Sequence, residues 1–132
     1  MTIIHFSDGR QLTCETVHSR QVYYNGTNRE QLTFVFPEEV GVQTVLDHFT
    51  PENCKQIYLE DESGEKYLHE NYTIRMGAGV NERGSLLGVG EDLDHRMVTY
   101  VNTIRTTYAE QQLEALQDTV DHMLIGSLEG GI

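Results

Sequence analysis

At 132 residues the chain is long enough for one domain with a real core, and 38% apolar residues without any Trp make that core a modest one. Nine basic residues stand against 21 acidic ones, a net charge of −12, which argues against nucleic acid or an anionic membrane as partner, since both need clustered Lys and Arg. The opening Met1-Thr2-Ile3-Ile4-His5-Phe6 has no basic flank and no long apolar run, so neither a signal peptide nor a bilayer-spanning segment is expected.

Thr2 to Phe6 predicts a short strand, followed by a turn at Ser7-Asp8-Gly9, where Gly takes positive φ without penalty. Gln11 to His18 returns as a second strand. Cys14 and Cys54 lack any CxxC or Cys-His spacing and read as reduced thiols. Asn25-Gly26 marks the next turn, between Val22-Tyr23-Tyr24 and the run Gln31 to Phe36. In that run Leu32, Phe34 and Phe36 share a face by alternation, and Pro37 ends it because Pro has no N–H for a ladder.

The period then changes. Val42, Val45, Leu46 and Phe49 follow helical spacing, which predicts a helix near 38–49, with Glu38 and Glu39 at its positive end and Thr50-Pro51 closing it. Gln56 to Glu60 and Lys66 to Met76 predict a hairpin about Glu62-Ser63-Gly64-Glu65, with Tyr72, Ile74 and Met76 on one face. Gly77 to Gly90 holds five glycines and few anchors, and reads as a mobile loop or one ordered only by a neighbour. Met97 to Ile104 resumes strand character, with Val98, Tyr100 and Ile104 on one side.

A terminal helix follows from about Thr107 to 126, with Gly126 and Gly130-Gly131 allowing it to fray. Ala109, Leu113, Leu116, Val120, Met123 and Ser127 succeed one another at spacings of 4, 3, 4, 3, 4, a short heptad seam. Its flanks Gln112, Gln117 and Thr119 are uncharged, so the seam lacks the ion pairs that specify coiled-coil partners. Leu113, Leu116, Val120 and Met123 nonetheless need a cover, either the protein's own sheet or another subunit. Seven tyrosines are many for this length, and Tyr23, Tyr24, Tyr100 and Tyr108 are the candidates for an aromatic contact surface.

The order β-β-β-α-β-β-β-α predicts an α+β fold: an antiparallel β-sandwich or partly open barrel with one short inserted helix and a C-terminal helix. Residues 1–106 form the β-rich body, and 107–126 form a docking helix of the same domain. A single twisted sheet with both helices on one face is the alternative.

No catalytic signature stands out. Gly79-Val80-Asn81-Glu82-Arg83-Gly84-Ser85 approaches a phosphate loop but has Ser85 where the Lys belongs, and Glu82 repels an anion. Glu91, Asp92, Asp94 and His95 form an acidic cluster without the rest of a calcium-loop pattern. The six histidines show no zinc spacing, and His5, His18 and His69 read as strand-wall residues. There is no GxSxG elbow. No catalytic, cofactor or metal residues are assigned.

Several features together form a pattern: Ser7-Asp8-Gly9 after a short run, Leu32 to Phe36, and a small helix ending in Phe49. The hairpin Ile57-Tyr58-Leu59-Glu60-Asp61-Glu62-Ser63-Gly64-Glu65 with Tyr72-Thr73-Ile74, then Leu113-Glu114-Ala115-Leu116 and Val120, extend it over most of the chain. In this order of elements the chain resembles small tail or baseplate proteins of phages and prophages of Gram-positive bacteria. The resemblance implies a non-enzymatic, multimeric structural protein. It would contact itself and other virion proteins, first in the host cytoplasm and then in the virion. A second reading is a soluble bacterial ligand- or protein-binding module, with Gly77–Gly90 as a lid and the tyrosines lining a pocket. A third is a small metal-dependent hydrolase.

Overall fold

Glu15 and the segment beginning at Asn71 decide the architecture, because there the chain leaves one sheet for another. The computed structural model describes residues 1–88 and 94–129, with side chains as far as residue 121. β1 (Thr2–His5) and β2 (Gln11–Cys14) form a hairpin in a first sheet, and β3 (Thr16–Tyr24) then begins a second. Gln11 to His18 is therefore two strands, not one. At the corner the Glu15 N–H donates to the Val35 carbonyl at 2.7 Å, so the bend keeps its backbone paired across the sheets.

β4 (Thr27–Pro37) returns along β3 through the two-residue turn Asn25-Gly26, whose φ angles of 47° and 86° twist with the strands. A 3-10 turn (Glu38–Val40) and α1 (Val42–His48) replace the single predicted helix over 38–49. Gly41 separates them at φ 81°, ψ 145°, a conformation that only glycine adopts without strain. α1 delivers Phe49 into the core, where its ring meets Phe6 edge-on at 5.0 Å and Phe34 at 4.9 Å. The Arg75 guanidinium donates to the Leu46 and Phe49 carbonyls, both at 3.1 Å, and so satisfies acceptors that the helix end leaves open.

β5 (Gln56–Glu60) and β6 (Lys66–Glu70) complete the first sheet in the order β2-β1-β5-β6. The predicted return strand Lys66 to Met76 breaks after Glu70. Asn71 takes φ 66°, its N–H donates to the Lys55 carbonyl, and its own carbonyl accepts from the Thr106 N–H. The chain crosses there to β7 (Ile74–Glu82), and a bulge between Arg75 and Gly77 re-aims Met76. Tyr72 is consequently buried while Met76 is exposed, so the face expected for them with Ile74 is not shared.

β7 also corrects the reading of Gly77–Gly90 as a loop. Gly77 to Glu82 pair along β8 (Met97–Ile104), and α2 (Arg83–Leu87) follows directly. Gly90 lies outside the described residues. Cross-strand pairing overrides the weak strand propensity of glycine: Gly79 lies opposite Tyr100, whose ring would touch an added Cβ at 3.5 Å. The second sheet runs β3-β4-β8-β7, and every strand pair in both sheets is antiparallel.

The fold is thus α+β, with two four-stranded sheets that are not closed into a barrel, consistent with a sandwich. The single-sheet alternative is overturned. Ile4, Cys14, Ile57 and Leu59 of the first sheet, with Phe6 just past β1, meet Leu32, Phe34, Phe36 and Val101 of the second. Val98, Tyr100 and Ile104 do share a side of β8, but it is Val101, on the other side, that joins this core. α3 (Tyr108–Glu129) ends the described chain and continues past Gly126, where fraying was expected.

Candidate functional site

The base of α3 is built from local sequence. Thr107 is the helix N-cap and Glu110 the third helical residue. The Glu110 N–H donates to Thr107 Oγ1 at 3.2 Å, and the Thr107 N–H donates to Glu110 Oε1 at 3.0 Å. This is a reciprocal capping box, and it satisfies two N–H groups that the helix start would leave open. The signal Thr-x-x-Glu stands in the sequence at Thr107-Tyr108-Ala109-Glu110 and was missed there.

A second set of contacts moors the helix to the β3–β4 hairpin. The Arg29 side chain is 4% exposed, and its Nη1 donates to Glu110 Oε1 at 2.5 Å. Its Nε donates to Thr27 Oγ1 at 2.9 Å, and its guanidinium lies 5.0 Å from the Tyr24 ring centre. Asn25, in the turn, donates to the other Glu110 oxygen at 3.2 Å. The Arg29 guanidinium, reinforced by the Thr107 N–H, holds the Glu110 carboxyl down at about 2.

Beyond this base the helix leaves the body. Leu113 is 64% exposed, Leu116 60% and Val120 46%, so none of the three is covered by its own sheets. Of the two covers weighed from the sequence, the protein's own sheet is not seated on these three residues. The Met123 side chain lies outside the described residues.

The four candidate tyrosines do not form one surface. Tyr23 and Tyr108 are each 75% exposed. Tyr24 is half-buried against Arg29, and Tyr100 is half-buried over Gly79, paired with Val35 in mid-sheet.

An open polar cleft of about 560 Å³ lies where the end of the sandwich meets the first turn of α3, with Tyr108 at its wall. A shallower groove of about 450 Å³ runs between the hairpin turn and the helix, from Asn25 to Leu113 and Asp118.

Three of the candidate histidines have structural partners, while His18 sits in β3 opposite Thr33. His5 Nε2 lies 2.9 Å from Glu60, His95 Nδ1 3.0 Å from Glu82, and His69 Nδ1 3.2 Å from the Tyr67 carbonyl. Asp94 joins Glu15, Arg83 and Arg96 in an ion-pair cluster, while Glu91 and Asp92 lie outside the described residues. No group of three or more His, Cys, Asp or Glu side chains gathers as a metal site among the described residues. Cys14 and Cys54 are buried free thiols, and burial pushes both up to about 12, well out of the reactive range. No described helix is long and apolar enough to cross a membrane. Comparison with known proteins finds no matching family model, no significant match among curated proteins and none among solved structures.

Proposed function

We propose that the protein is a non-catalytic structural subunit that assembles through α3, and that the helix pairs with α3 of a second copy. The observation that carries this reading is a well-moored helix whose apolar stripe is left in water. Covering Leu113, Leu116 and Val120 is worth about 5–9 kcal/mol per chain before entropic costs.

The seam suits a second copy. Leu113 and Val120 occupy equivalent heptad positions, with Leu116 between them at the other apolar position. Gln112, Gln117 and Thr119 flank the seam, so a parallel pair brings amides and hydroxyls together there. The acidic Glu114, Asp118 and Asp121 fall at positions further round the helix, and like charges do not face each other across the seam. The seam is short for an independent coiled coil, which makes the rigid mooring at Arg29 and Glu110 part of the design: it orders the first turn before a partner arrives.

The wider setting is a phage- or prophage-derived tail or baseplate component, in contact with other virion proteins. That setting rests on the resemblance in element order. Tail or lysis genes beside this one would support it, and a locus of metabolic genes would count against it. Self-association is tested by sedimentation velocity over a wide dilution series. A dimer or larger species that dissociates on dilution is expected, and a strict monomer at every concentration would overturn the reading.

A further inference from the structure

We propose that the cleft at the base of α3 is a binding site for a neutral, polyhydroxylated ligand, a mono- or disaccharide. Gln21, Asn28, Asn71, Arg105, Tyr108 and Gln111 line the cleft, together with Glu30. Its volume of about 560 Å³ falls within the range of about 300–1,000 Å³ typical of small-molecule sites.

Four of these side chains are amides, and three are unspent. Gln111 donates to the Thr106 carbonyl at 3.2 Å, but Gln21, Asn28 and Asn71 make no side-chain hydrogen bond among the described residues. An amide offers a donor and an acceptor side by side. A sugar hydroxyl, which both gives and takes a hydrogen bond, matches that arrangement better than an anion or an ammonium group does.

Local charge points the same way. The Arg29 guanidinium is neutralised by Glu110. Arg105, just past the end of β8, sits beside Glu30 of β4, its N–H donating to the Glu30 carbonyl at 3.2 Å, yet their side chains form no ion pair with each other. An anion drawn to Arg105 meets Glu30, and a cation drawn to Glu30 meets Arg105. The cleft is therefore close to neutral on a chain of net charge −12. The Tyr72 hydroxyl donates to Glu30 Oε1 at 2.5 Å and fixes the carboxylate, leaving Oε2 as an acceptor. Tyr108, three-quarters exposed, supplies the ring face on which the apolar side of a pyranose can rest.

The test uses the full chain, with glucose, N-acetylglucosamine and maltose as probes and acetate as the anionic control. Side-chain amide signals are followed by two-dimensional NMR. At least one sugar is expected to shift the amide signals of Gln21, Asn28 or Asn71 saturably, with millimolar affinity. Affinity should fall about tenfold or more in the double variant Gln21→Ala, Asn28→Ala, because each change removes a two-sided hydrogen-bonding group. Both residues are exposed, so the variant should keep its fold. Absence of saturable shifts with all three sugars would overturn the proposal. So would an undiminished affinity in the double variant, or saturable binding of acetate in place of the sugars.

Discussion

Glu110 is the residue on which the placement of α3 turns, since one carboxylate serves the capping box, Arg29 and Asn25 together. Its pKa is lowered from 4.5 to about 2, chiefly by Arg29. A carboxyl depressed on folding contributes stability above its unfolded pKa and loses that contribution as pH falls through the folded value. The mooring should therefore be intact at neutral pH and weaken progressively between pH 4.5 and about 2, read as loss of α3 helicity before the sheets melt. Glu110→Gln keeps a capping partner but removes the charge opposite a buried Arg29. It should cost about 1–3 kcal/mol in chemical denaturation and flatten the acid dependence over that window. An unchanged acid profile in this variant would show that Arg29 finds its compensation elsewhere. Phe49 is a different kind of residue, holding by packing alone. Phe49→Ala opens a cavity among Phe6, Phe34 and Phe36 and should lower stability by about 3–5 kcal/mol in urea unfolding. Phe49 was visible in the sequence through helical spacing. Arg29 was not, because nothing local marks a charged residue that tertiary contacts will bury.

At the scale of elements, sequence and structure agree where a strand or helix is specified by its own residues. The alternation of Leu32, Phe34 and Phe36 and the helical period of the last element were both legible for that reason. They part where a neighbour supplies the order. Gly77 to Glu82 carries only Ala78 and Val80 as a weak alternation among glycines and polar residues, and is a strand because β8 pairs with it. Glu15 and Asn71 each break what looks like one continuous strand, since a change of sheet leaves no mark on alternation. Glycines separate these cases experimentally. Gly77 has an ordinary φ, and nothing lies within 4 Å of an added Cβ, so Gly77→Ala should stabilise the protein by about 0.5–1 kcal/mol by restricting the unfolded chain. Gly41 also has open space around it, but at φ 81° and ψ 145° the backbone itself refuses a side chain. Gly41→Ala should destabilise by about 1–3 kcal/mol, measured by the same thermal or urea unfolding. Opposite signs from the same substitution would distinguish a paired strand at Gly77 from the loop that composition suggested.

The whole molecule divides its work unevenly. The two sheets close a core with Val45 of α1 and Phe49, and α3 gives its first turn to the body, while its described side chains from Gln112 to Asp121 are exposed. The polar cleft and the large apolar residues of the seam accordingly belong to different stretches of one helix, the cleft reaching Gln111 and the exposed large side chains starting at Leu113. That boundary predicts the effect of cutting the chain. Ending it after Gln112 removes the exposed large apolar residues of the seam but keeps Thr107, Glu110 and Gln111 with their contacts to Arg29, Asn25 and the Thr106 carbonyl. Ending it after Thr106 instead strands the Arg29 guanidinium, 4% exposed, without its carboxylate. The longer piece should unfold cooperatively with the stability of the intact monomer and sediment as a monomer at every concentration. The shorter one should lose about 3 kcal/mol or more, since a buried charge without its partner is costly. If the piece ending after Gln112 still self-associates, the contacts lie on the β-sandwich. If it fails to fold, the seam is part of the protein's own core, and the helix is no handle at all.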